Sequence, residues 1–210
     1  MRFAELDAVT VDGFGTLLRL VDPVPALARA LREHGLERTD DTVRAAFAAE
    51  VAYYRPRSLA GRDPDSLAAL RVECTRVFLE SAEADIDPAG FVDSFMGSIV
   101  FEPMPGALET LAGLRNRGLE LAVVSNWDVG LAEHVERVGA AHLFSAIVTS
   151  AEAGAAKPDA AVFRLALERL RVEPGRTVHV GDEADDEEGA ASAGMRFAHA
   201  PLSTAFEGWR

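Results

Sequence analysis

A chain of 210 residues, 49% of them apolar, is long enough for a core domain and an inserted module, and no apolar run in it reaches the roughly 18 residues of a membrane span. The formal charge of −13 repels polyanions, which argues against nucleic acid or an anionic membrane surface as the main partner and leaves a small anionic substrate wherever cations gather locally. The lone cysteine, Cys74, excludes a disulfide framework and a cysteine metal cluster. With an N-terminus free of any signal-peptide pattern, it implies a reducing, cytoplasmic setting.

The first predicted element runs from Leu6 to Val11, lacks the alternation of a half-exposed strand, and reads as a strand buried on both faces that delivers Asp12 at its C-terminal end. Gly13 and Gly15 then flank Phe14, so the backbone can turn sharply and approach a ligand, with the Thr16 hydroxyl expected to point back at Asp12. From about Leu20 to Glu102 the pattern is helical throughout. Pro25 to His34 forms an amphipathic helix closed by Gly35. Asp41 is expected to cap a second helix, and the pairs Asp63-Pro64 and Asp87-Pro88 open two more. Four short helices without a strand suggest a small bundle. Its most basic loop, Arg55 to Arg62, offers Arg55 and Arg57 to an anionic substrate, although such a run is more often a solvated turn.

From Pro103 helices and strands alternate. Helices are predicted over 106–117, 131–138, 159–170 and 187–193, and strands over 119–124, 146–149, 177–180 and 196–200. That order gives an α/β fold, a parallel sheet with helices on both faces, in which ligands bind at the carboxyl ends of the strands. Those ends carry Asp12, then Ser125-Asn126, then Lys157 in the segment after the strand at 146–149, then Gly181-Asp182 with Asp186 four residues on.

Asp12, Asp182 and Asp186 are hard oxygen donors suited to magnesium. Beside them Ser125, Lys157 and the backbone N–H groups of the glycine-flanked loop can hold a phosphoryl group. The composition includes 20 arginines and one lysine, which marks Lys157 as a place for a compact ammonium, expected to restrain Asp12 and Asp182 against their mutual repulsion. So placed, Asp12 can attack phosphorus to form an aspartyl-phosphate.

The sequence Asp12-Gly13-Phe14-Gly15-Thr16-Leu17, then Val123-Val124-Ser125-Asn126, then Lys157-Pro158-Asp159 with Phe163, then Val180-Gly181-Asp182 with Asp186 and Gly189-Ala190 resembles the four motifs of the haloacid dehalogenase superfamily of hydrolases, subfamily I with a helical C1-type cap. The resemblance covers nearly the whole chain. It implies a Rossmann-like, doubly wound core from residues 1–19 and 103–210, with the first motif on the central strand, and a four-helix cap over 20–102. It also implies catalysis by Asp12, Ser125, Lys157 and Asp182, with Mg2+ on Asp12, the Phe14 backbone carbonyl, Asp182 and Asp186. Gly13, Gly15, Thr16, Ser125, Asn126 and Lys157 would bind the substrate.

One position departs from the family's phosphatases, which carry a second aspartate two residues after the nucleophile. Here that residue is Phe14, expected to be packed, and a phenyl ring cannot supply acid–base assistance worth about a hundred- to ten-thousand-fold. Glu183, Asp185 and Asp128 are candidate substitutes, each more simply read as a helix cap or solvated charge. The phosphonate-cleaving branch needs a cap lysine, which this sequence lacks. The haloacid dehalogenases carry an aromatic residue there, whereas Gly181-Asp182 and Asp186 look like the phosphatases' metal-holding motif. The resulting expectation is a magnesium-dependent phosphatase acting on a small phosphorylated metabolite. A metal-free dehalogenase, in which Asp12 attacks carbon, and a weakly catalytic ligand-binding protein are the alternatives. His134, His142 and His179 lack ligand spacing and read as ordinary core or surface histidines.

Overall fold

A computed structural model describes residues 3–209. In chain order the strands are β1 (Ala8–Val11), β2 (Leu18–Leu20), β3 (Phe101–Pro103), β4 (Glu120–Ser125), β5 (Ala146–Thr149), β6 (Thr177–Gly181) and β7 (Arg196–His199). The helices are α1 (Val24–Glu33), α2 (Asp40–Tyr54), α3 (Pro64–Ser81), α4 (Pro88–Ser98), α5 (Ala107–Asn116), α6 (Leu131–Arg137), α7 (Ser150–Ala153), α8 (Ala160–Leu170), α9 (Ala184–Ser192) and α10 (Leu202–Ala205). The chain forms two compact units, one running to Arg19 and resuming at Glu102, the other spanning Leu20–Phe101.

The first unit is built on a parallel five-stranded sheet of order β5-β4-β1-β6-β7. All four residues of β1 are buried, as a strand covered on both faces requires, and Val9 pairs in register with Leu121 on one side and Val178 on the other. Val162, Phe163 and Ala166 of α8 pack with Ala190 of α9 against Val124 and Val148 of the sheet. From β1 the chain builds outward through β4 and β5, then crosses back to add β6 and β7 on the other side. That reversal puts a topological switch point at β1, and the crevice such a reversal opens at the carboxyl ends is where α/β sheets bind ligands.

In the second unit the apolar faces of α1 to α4 meet around Phe78, Phe91 and Phe95, all fully buried, with Leu27, Leu31 and Val43 about them. Burying each such side chain contributes roughly 1.5–3 kcal/mol. Asp63 and Asp87 cap α3 and α4 as expected, accepting from the backbone N–H of Ser66 at 2.9 Å and of Gly90 at 3.0 Å. For α2 the expectation is corrected: the cap is Thr39, whose hydroxyl accepts from Thr42 N at 3.2 Å, and Asp41 lies inside the first turn. Two further corrections concern what helical periodicity cannot register. Residues 55–60 form a 3-10 helix, and the helical stretch is bounded by a two-stranded ribbon of β2 and β3. Strands of three residues are too short to show a period.

Glu50, on α2, is only 5% exposed and shares a hydrogen bond with the Cys74 thiol of α3. Burial pushes its carboxyl up to about 7, the thiol's hydrogen bond opposing. The folded state therefore holds this proton more tightly than the unfolded chain, so the stability it confers is complete in acid and is lost as pH rises through that value. Glu50→Gln removes the charge and keeps an acceptor for the thiol. It should stabilise the protein at pH 8 by about 3–3.5 kcal/mol, at about 1.4 kcal/mol per pKa unit, and by little at pH 4. Urea denaturation of both proteins at the two pH values measures this, and an equal change at both would refute it.

Candidate active site

Asp12 follows β1 directly, is 5% exposed, and has its two carboxylate oxygens in different surroundings. Oδ1 accepts from the Ser125 hydroxyl at 3.1 Å and from the Lys157 ammonium. Among the described residues, Oδ2 accepts from nothing. One oxygen is tethered and the other is left for a ligand.

Lys157 is 7% exposed and spends its three N–H donors on Asp12 Oδ1, on Asp186 Oδ1 at 2.5 Å, and on the Val124 carbonyl at 3.3 Å. Burial works against its charge, but Asp12 and Asp186 outweigh burial and hold its pKa above the ordinary lysine range. The expectation that it restrains Asp182 is corrected: its second carboxylate is Asp186. The cause is local. α9 starts at Ala184, three residues before the predicted start, so Asp186 occupies its third position and turns back to accept from Glu183 N at 3.1 Å. Burial pushes the Asp186 carboxyl up, yet the His179 hydrogen bond and the Lys157 charge prevail and hold it well below the usual carboxylate range.

Asp182 is exposed and accepts from the Thr16 hydroxyl at 3.0 Å, so the expected aim of Thr16 at Asp12 is also corrected. The two residues meet because Gly15 has φ +88°, and a Cβ there would lie 2.8 Å from the Asp182 carboxyl carbon. Gly13 gives way similarly to Ser125, whose Oγ would lie 2.8 Å from an added Cβ. Each of Asp12, Asp182 and Asp186 offers an oxygen within 4.8 Å of the others. This all-oxygen donor set fits a hard divalent cation. Burial pushes the Asp12 carboxyl up, against the pull of Lys157, and a cation at these oxygens would favour its charged form.

A family model described as haloacid dehalogenase-like hydrolase matches residues 6–194. The chain belongs to the haloacid dehalogenase-like hydrolases. It is 33% identical to a Bos taurus haloacid dehalogenase-like hydrolase domain-containing protein 3 over 91% of the chain and 80% of that protein. It is 28% identical to a Pseudomonas aeruginosa N-acetylmuramic acid 6-phosphate phosphatase over 94% of the chain and 83% of that protein. In fold it matches a defluorinating L-2-haloacid dehalogenase with a TM-score of 0.72 at 22% identity, covering 95% of this chain and 84% of that one.

The remaining predicted residues of this hydrolase differ in what they touch. Asn126 clamps the backbone of Lys157, accepting from its N–H at 2.7 Å and donating to its carbonyl at 3.2 Å, so its amide orients the lysine. Phe14, expected to be packed, is 43% exposed. Arg55 and Arg57 belong to the other unit, where Arg57 lies 4.0 Å over the Tyr53 ring and donates to the Tyr53 carbonyl at 3.0 Å. Of the candidate acids, Asp128 accepts from Gly130 N at 2.7 Å and Glu183 caps α9, while Asp185 is half-buried. His179, read from sequence as an ordinary histidine, is fully buried with Nε2 3.0 Å from Asp186 Oδ1. The available signal was its place two residues before Gly181-Asp182 on a strand otherwise apolar at that level.

Proposed function

We propose that this hydrolase moves a phosphoryl group from a small phosphorylated metabolite to Asp12 and then to water. The observation that carries the reading is the meeting of three carboxylates beside one buried ammonium. Magnesium would be held by Asp12, the Phe14 backbone carbonyl, Asp182 and Asp186. A cation held there would supply neutralisation of charge on the transferring phosphoryl oxygens.

Asp12 Oδ2, which accepts from none of the described residues, is the nucleophile. It forms a bond to phosphorus as the bond to the leaving oxygen breaks and that oxygen departs with the electron pair. Lys157 and Ser125 keep Oδ1 in place, and the Lys157 charge lies beside the carboxylate that attacks. Water then attacks phosphorus, releases phosphate, and restores the Asp12 carboxylate. Phe14 supplies no proton to the leaving oxygen, so the preferred substrates are those whose leaving group departs as a stable anion, such as acyl or aryl phosphates.

Millimolar magnesium should raise the melting temperature, by about 3–6 °C when it exceeds its Kd tenfold. Vanadate should add to the rise, and Asp182→Ala should abolish the magnesium effect. Phe14 also favours a second reading, because a halide leaves without a proton. In that case Asp12 attacks the halogen-bearing carbon of a 2-haloacid, halide departs, and water cleaves the resulting ester. An unchanged melt with magnesium, together with halide release without metal, would establish that reading in place of the first. Binding of magnesium and vanadate without turnover of any phosphate would instead mark a ligand-binding protein.

A further inference from the structure

The site continues downward into the sheet. Thr10, in the middle of β1, has its Oγ1 2.8 Å from His179 Nδ1, and His179 Nε2 lies 3.0 Å from Asp186 Oδ1. Thr10 and His179 are fully buried and Asp186 is 1% exposed. Asp186 Oδ1 also accepts from Lys157, which holds Asp12 Oδ1. A single chain of hydrogen bonds thus runs from the central strand to the carboxylate that the proposed reaction uses.

The chemistry of each group sets the direction of each bond. A carboxylate only accepts, so the hydrogen sits on Nε2 of His179. Among the described residues the Thr10 hydroxyl has no hydrogen-bond acceptor other than this ring, so its proton goes to the nitrogen that faces it. Nδ1 is therefore bare and accepts, and the Thr10 hydroxyl donates. A hydroxyl buried without a partner is costly, and β1 carries valine on either side of Thr10. The hydroxyl has its use in the bond to this ring. Phe163 meets the imidazole edge-on, with centroids 4.9 Å apart and planes at 88°, which opposes rotation of the ring.

We propose that His179, held as the Nε2–H tautomer by Thr10, is a positioning residue: it fixes Asp186 so that Lys157 rests on Oδ1 of Asp12 and leaves Oδ2 for attack. The inference rests on the reading of Asp12 as the nucleophile. Outer partners of this kind typically change metal affinity or activity by about 10- to 100-fold when removed.

Two measurements test it. Long-range nitrogen–proton NMR spectra of the wild-type His179 ring should show a protonated Nε2 and an unprotonated Nδ1. A ring protonated on Nδ1, alone or with Nε2, would overturn the proposal. For function, His179→Leu should lower kcat on an aryl phosphate by about 10- to 100-fold with little change in KM, and should raise the magnesium concentration at the midpoint of the thermal shift. His179→Gln, whose amide can donate from the same place, should recover most of both. A purely structural histidine would lower melting temperature in both variants and leave kcat per folded molecule at the wild-type value. That result overturns the proposal. If His179→Leu does not fold, the glutamine variant and the ring spectrum decide. Wild-type protein with neither a magnesium shift nor turnover overturns the phosphatase reading alone, and the ring spectrum then decides whether the tautomer is locked.

Discussion

Phe14→Asp should raise turnover of alkyl phosphates by about a hundred- to ten-thousand-fold and leave aryl and acyl phosphates nearly unchanged. An alkoxide leaves slowly unless it is protonated as it departs, whereas a phenolate or carboxylate does not need the proton. The substitution restores a carboxyl at the position where the family's phosphatases carry one. Charge at a fully packed aromatic position would cost several kcal/mol, but Phe14 is 43% exposed, so the cost of the exchange should stay below that. Steady-state kcat/KM for a paired series of aryl and alkyl phosphates, with circular dichroism to verify folding, reads the effect. Rapid metal-dependent hydrolysis of alkyl phosphates by the wild type would refute the claim that Phe14 removes acid catalysis and direct attention to Glu183, Asp185 or Asp128.

The second large effect belongs to Lys157. Lys157→Met leaves Asp12 and Asp186 buried and close together with no cation between them, and breaking a buried pair in this way typically costs about 3–5 kcal/mol. Turnover and vanadate binding should be lost as well. Lys157→Arg separates charge from shape. The guanidinium keeps the charge, but its planar fork cannot meet three acceptors that converge on one nitrogen, so vanadate affinity should fall at least about tenfold. As the chain's single lysine, Lys157 can also be followed by an amine-directed reagent, which should modify it slowly and more slowly still with vanadate bound. Vanadate binding by Lys157→Arg at the wild-type level would reduce the lysine to an accident of composition.

Most of the sheet could be read from the chain because its strands are mostly apolar and three of them lead directly into polar residues at their carboxyl ends. Asp12, Ser125 and Asp182 stand at those ends, and a parallel sheet brings such ends together whatever the details of packing. Local signals worked equally well where the relevant contact is local: Asp63 and Asp87 cap the helices that their prolines open. They failed where two competent caps lie close together, as at Thr39 and Asp41, since sequence does not say which one stops the backbone from being helical. They also failed for the ribbon at residues 18–20 and 101–103, whose pairing joins segments far apart in the chain.

The sequence by itself determined the fold class, the family and the set of side chains gathered at the carboxyl ends of the strands, because these follow from periodicity and from the order of short motifs. Which side chain meets which was decided only by the tertiary structure. Thr16 bonds Asp182 across 166 residues because Gly15 lets the carboxylate lie against the loop, and Lys157 chooses Asp186 because the first turn of α9 folds that residue back beneath the end of β6. His179 became part of the site only when β1 and β6 were neighbours, for its two hydrogen bonds reach Thr10 on one and the start of α9 beyond the other. Hydrogen bonds are directional and short, so an error of one residue in where a helix begins leaves the fold intact and redistributes every partner in the site.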